Sequence, residues 1–243
     1  MNIDFISPSY LGFFFGFSPT LVIIFAATAL ASWLVSHTLK KRFKEYSQIP
    51  IRYTGAQIAE TMLRENGISD VQVISTPGKL TYHYDPTKKT VNLSESVYSM
   101  NTISAAAVAA HECGHAIQHQ QAYAWLTMRS KMVPAVQFAG STLNILMIAG
   151  MLGAVIFSTP FFLYLWVGLF AVTTLFSFVT LPVEFDASKR ALVWLENSGI
   201  SSSMEHEKAK NALFWAAMTY VVAALGSLAM LIYYATMFLG RRD

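Results

Sequence analysis

The sequence predicts a mainly α-helical membrane protein of the α+β class, with about four membrane-crossing helices and one small domain carrying a short β-sheet. Three observations predict it. Of 243 residues, 54% are hydrophobic and only 13% charged, about half the charged share of a soluble domain. Four stretches each supply the roughly 20 apolar residues that a bilayer demands. Residues 40–133 carry instead the charge, helix periodicity and strand alternation of a folded domain.

Residues 1–39 form an N-terminal anchor around "FFFGFSPTLVIIFAATALASWLVS" (13–36). Residues 134–181 hold two apolar runs, 134–158 and 161–181, and "STP" at 158–160 reads as the turn of a helical hairpin. Residues 182–212 form a polar helix that Pro182 is suited to start, and 213–243 carry the fourth span, 213–239. None of the four runs contains Asp, Glu, Lys or Arg, whereas helices of a soluble bundle keep a polar face. No cleavable signal is evident, so the first span is expected to be retained.

Lys and Arg in short flanking loops set orientation. "KKRFKEY" follows the first span and only Asp4 precedes it. Arg129, Lys131, Lys189, Arg190, Lys208 and Lys210 fall on the same side. That side is expected to be cytoplasmic, with Arg241 and Arg242 the one misfit. The net charge of +3, without a basic run interleaved with aromatics, gives no nucleic-acid groove.

Within 40–133, "GAQIAETMLRENGI" (55–68) spaces Ile58, Met62 and Leu63 on one helical face, and Asn66-Gly67 stops it. "VQVIST" reads as a strand, and "PGKLTYHYDPTKKTVNLSES" as strand, turn at Asp85-Pro86, strand. One long helix is expected over 102–128.

That helix carries "AAAVAAHECGHAIQHQ" (105–120). Residues four apart on a helix project about 40° from one another, so His111 and His115 can present two imidazoles to one ion. This is the H-E-x-x-H arrangement of zinc hydrolases. Glu112 stands beside them as the general base that takes a proton from the attacking water and returns it to the leaving amine. Cys113 lies about 200° from His111 and should pack away from the metal, while Gly114 keeps the back of the helix slim. His119, about 12 Å further along and about 80° round, cannot reach the same ion; it reads as a supporting or solvent-facing residue. A buried, satisfied His–Glu network is the plain alternative.

A catalytic zinc site takes three protein ligands. "LPVEFDASKRALVWLE" (181–196) returns after two spans to the side of His115, and Glu184 and Asp186 are the carboxylates at its start. Glu184 is the first choice for third ligand. Asp186 would orient a histidine N–H, or the two could exchange roles. An acid pair at a helix start, favoured by the dipole, is the alternative.

Taken together, "HECGHAIQH", "GKLTYHYDPTKKTVNLSESVY", "RSKMVP" and "LPVEFDASKRAL" resemble the neutral zinc metallopeptidases of the YugP-like membrane family, from about residue 50 to the end of the fourth span. The resemblance implies a bacterial multi-pass protein of the cell membrane, a zincin-like (gluzincin) domain, Zn2+ and peptidase activity. The pattern is also similar to HtpX-type and CAAX-processing proteases, which place the ligand in E-x-x-x-D. Here position 188 is Ser, and Asp186 follows Glu184 by two.

The expected activity is that of a zinc endopeptidase acting on membrane or membrane-proximal proteins. "KTVNLSES" would be an edge strand on which an extended peptide adds. His83, Tyr84, Arg190 and His206 are candidates for oxyanion or substrate contacts, with His206 also readable as a solvated residue. The competing readings are a non-catalytic scaffold with structural zinc, which would want four ligands, and an intramembrane site-2-type protease, whose L-D-G context is missing. A transporter is weaker, because no charged group marks an ion path in the spans.

Overall fold

A computed structural model describes residues 18–78, 81–151, 160–200 and 202–239. The start of the first span, residues 158 and 159 of the expected turn, and Arg241–Arg242 lie outside them. Helix α1 is Pro19–Tyr46, α2 Gly55–Glu65, α3 Glu95–Ser99, α4 Ile103–Gln120, α5 Ala124–Met151, α6 Pro160–Asn197 and α7 Ser203–Leu239. Strands β1 (Gln72–Thr76), β2 (His83–Asp85) and β3 (Thr90–Ser94) form one sheet.

Helices α1, α5, α6 and α7 are long and apolar enough to cross a membrane. The chain divides into two compact units. One holds the described parts of Met1–Ser32, Arg129–Phe178 and Val221–Asp243. In it Ala139, Leu146, Trp166 and Leu169 are buried together. Ser227 donates to Thr174 Oγ1 at 2.8 Å, and a Cβ at Gly226 would lie 2.6 Å from Thr28 Cγ2. Such small-residue contacts and hydroxyl pairs hold helices together where lipid removes the hydrophobic drive. Meanwhile Ile23, Phe138 and Ile145 are 67%, 68% and 66% exposed, a surface that water would penalise and lipid tails accept.

The other unit holds Trp33–Met128 and Val179–Tyr220. Helix α2 starts on a capping box: Thr54 Oγ1 accepts from Gln57 N–H, and Gln57 Oε1 accepts from Thr54 N–H at 3.0 Å. Its apolar face buries Ile58, Ala59, Met62 and Leu63 against Val91, Leu93 and the alanines of α4. Thr54→Ala should cost about 1 kcal/mol, read as a lower thermal midpoint with metal content unchanged.

The strand order is β1-β3-β2. β1 runs parallel to β3, Gln72 opposite Thr90, and β2 runs antiparallel, Tyr84 opposite Val91. This corrects the expectation for "KTVNLSES". β3 is the central strand, all five of its residues are buried, and both its edges are taken. A parallel partner comes from outside the hairpin, so no local pattern announces it. The open edges belong to β1 and β2.

Three further expectations are corrected. Residues 102–128 are not one helix. α4 ends in a Schellman motif, with Tyr123 N–H bonded to Gln118 O and Ala122 N–H to His119 O. Ala122 takes φ 50° there, in place of the glycine or asparagine that would have flagged the stop. Second, Pro182 does not start a helix: α6 continues through it from Pro160 to Asn197, at the cost of one backbone hydrogen bond. Third, α5 begins ten residues before the apolar run at 134 and carries Pro134 inside it.

Candidate metal centre

Fifteen of the eighteen residues of α4 are buried. Its alanines let α2, the sheet and α6 approach closely, which is how a helix bearing polar groups comes to sit in a core. His111 and His115 meet edge to face, ring centroids 4.8 Å apart. Glu184 on α6 faces both: its Oε2 lies 3.4 Å from His111 Nε2 and 3.7 Å from His115 Nε2. Ligands about 2.0–2.1 Å from a tetrahedral zinc are about 3.4 Å from one another, so these three atoms suit one ion. Among the described residues no other His, Cys, Asp or Glu joins the cluster.

Gly114 sets this geometry. A Cβ there would stand 2.6 Å from the carbonyl oxygen of Ala187 and 3.0 Å from its Cα. Backbone thus lies on backbone one residue from His115 and three from Glu184. Glu112 is 5% exposed, and its charge reaches His115, Tyr82 and Cys113.

Burial opposes protonation of His115, but hydrogen bonding to Glu184 and the charges of Glu112 and Glu184 outweigh it and raise the pKa. In the metal-free protein the imidazolium's contribution to stability is complete below the ordinary imidazole value, and disappears as pH rises through the raised one. Protons compete with the metal for His115. Zinc affinity, measured by chelator competition, should therefore begin to fall on acidification before pH reaches about 6.5.

A family model described as "Putative neutral zinc metallopeptidase" matches residues 21–239. The chain belongs to this neutral zinc metallopeptidase family. A curated relative, "Putative membrane protease YugP" of Bacillus subtilis (strain 168), is 40% identical over 225 residues, covering 92% of this chain and 98% of the relative. No solved structure matches significantly.

Around this candidate centre, the remaining candidates fall into distinct places. Asp186 accepts from Arg190 Nε and from Gln118 Nε2, the latter at 2.8 Å. It is Gln118 that meets His115 Nδ1, at 3.0 Å. Ser188, one turn past Glu184, meets His111 Nδ1 at 3.2 Å. The sequence marks Ser188 only as a departure from E-x-x-x-D and does not single out Gln118. Their i+3 and i+4 spacings from His115 and Glu184 were the available signal. Arg190 also donates to Gln121 Oε1 at 2.6 Å and lies over the Tyr123 ring. Tyr84 Oη bonds His119 Nδ1 at 2.9 Å, tying β2 to α4. His83 is exposed, its Nδ1 near Thr81 O. His206 Nδ1 is buried with no hydrogen-bond partner among the described residues. Cys113 is fully buried, and its thiol faces Ala59 O. Burial and the nearby Glu112 push that thiol well up.

Proposed function

We propose that this chain is a zinc endopeptidase of the cytoplasmic face of the bacterial cell membrane, cutting membrane or membrane-proximal proteins. His111, His115 and Glu184 would hold the ion. The observation that carries the reading is the convergence of three ligand atoms from α4 and α6, with Glu112 next to the first of them. Zinc, when bound, supplies Lewis acidity, polarising the scissile carbonyl and acidifying a water.

The remaining work falls to the chain. The Glu112 carboxylate takes one proton from the attacking water and delivers it to the amine nitrogen as the C–N bond breaks. Burial keeps bulk water from competing for that proton. β2 is the sheet edge tied to α4 through Tyr84 and His119, so it is the strand on which an extended substrate would add. Of the four candidates for oxyanion or substrate contacts, Tyr84 stands on that strand and His83 is exposed beside it. Arg190 is held by Asp186 and Gln121, which favours an anchoring role at the end of α4.

The test uses full-length protein in detergent, with an unfolded model protein as substrate. A chelator should abolish cleavage and added Zn2+ restore it. Glu184→Ala should lose bound zinc and cleavage together. Cleavage that survives both removes the reading.

A further inference from the structure

We propose that Gln118 is a positioning residue that locks His115 into the one tautomer able to bind a metal through Nε2. This rests on the zinc reading above and names a part of the site that the motif does not contain.

Gln118 is fully buried, 0% exposed. Its amide meets three partners. Nε2 stands 2.8 Å from the backbone carbonyl of Val183 and 2.8 Å from Asp186 Oδ2. Oε1 stands 3.0 Å from His115 Nδ1. A glutamine amide can in principle be turned over, exchanging N and O. Here it cannot be. Val183 O and Asp186 Oδ2 are both acceptors, and turning the amide would set its oxygen against both, replacing two hydrogen bonds with contacts between acceptors in a buried place. The amide oxygen must therefore face His115, and Nδ1 must carry the proton. The lone pair is then on Nε2, the atom that faces Glu184 Oε2.

Arg190 Nε holds the same oxygen of Asp186. The polarity thus runs from a guanidinium through a carboxylate and an amide to the imidazole. His111 has no such constraint. Its Nδ1 partner is the Ser188 hydroxyl, which can donate or accept. The two histidines are therefore unequal, and the lock acts on the buried one.

The test is zinc affinity by chelator competition, with the visible absorption of the Co2+-loaded protein as second readout. Gln118→Met fills the same volume without polarity and should weaken zinc about 10- to 100-fold, with an altered cobalt spectrum. Gln118→Glu points a carboxylate at Asp186 and should bind zinc as poorly. Combining it with Asp186→Asn restores an acceptor facing His115 and a donor at position 186 while Val183 O still faces a carboxylate, and should raise affinity about tenfold above Gln118→Glu alone. If Gln118→Met does not fold, the single and double glutamate variants carry the comparison. Wild-type affinity and spectrum in Gln118→Met, or no recovery in the double variant, overturns the lock. Wild-type protein that takes up no zinc overturns the metal reading itself.

Discussion

Glu112→Gln should abolish peptide hydrolysis while leaving zinc near one ion per chain. Glutamine matches glutamate in shape, so the buried site should close around it as before. What it lacks is the basic oxygen. General base catalysis is typically worth about 100- to 10,000-fold, and the residual rate should fall by at least that. Metal content measured on the same preparation separates this from a folding defect. The contrast with Glu184→Ala is the informative part: one variant keeps the metal and loses the rate, the other loses both. If Glu112→Gln cleaves at the wild-type rate, the base lies elsewhere.

Gly114→Ala should cost the protein its metal, although it adds a single methyl group and changes no ligand. The new Cβ would sit 2.6 Å from Ala187 O, against the 3.4 Å or more of an ordinary contact. The two helices must part by about 0.8 Å. Ala187 cannot yield cheaply, because the atoms met on α6 are backbone rather than the end of a flexible side chain. Overpacking of this kind costs about 1–3 kcal/mol. The functional loss is larger than that figure suggests, since productive metal geometry tolerates about 0.5 Å. Helical content by circular dichroism should remain near wild type, the thermal midpoint should drop, and zinc should be depleted. Full zinc occupancy in Gly114→Ala would mean that another contact holds α6 against α4.

The parts of the site that obey local rules were legible in the sequence. His111, Glu112 and His115 follow from helix periodicity, and the side on which Cys113 packs follows from the same angle. Glu184 was reachable by counting membrane crossings. What was not legible depends on neighbours far along the chain. The parallel pairing of β1 with β3 turned an expected edge into the centre of the sheet. The break after Gln120 was hidden because Ala122, rather than glycine, adopts the left-handed conformation. The helix through Pro182 persists because tertiary packing outweighs one lost hydrogen bond. Ser188 meets His111 only across the contact of α6 with α4, and Gln118, although it shares α4 with His115, is oriented by Val183 and Asp186 of α6.

The burial of Cys113 has a practical consequence. This is the chain's single cysteine, it is shut away from solvent, and its thiol is held far from the thiolate form that reacts with alkylating reagents. The native protein is thus already a silent background for thiol mapping, with no need to remove a residue from the helix that carries the histidines. A cysteine in place of exposed Lys88 would be the one thiol that a membrane-impermeant maleimide finds. Labelling only after lysis would put residues 40–133 inside the cell, and labelling of intact cells would put them outside.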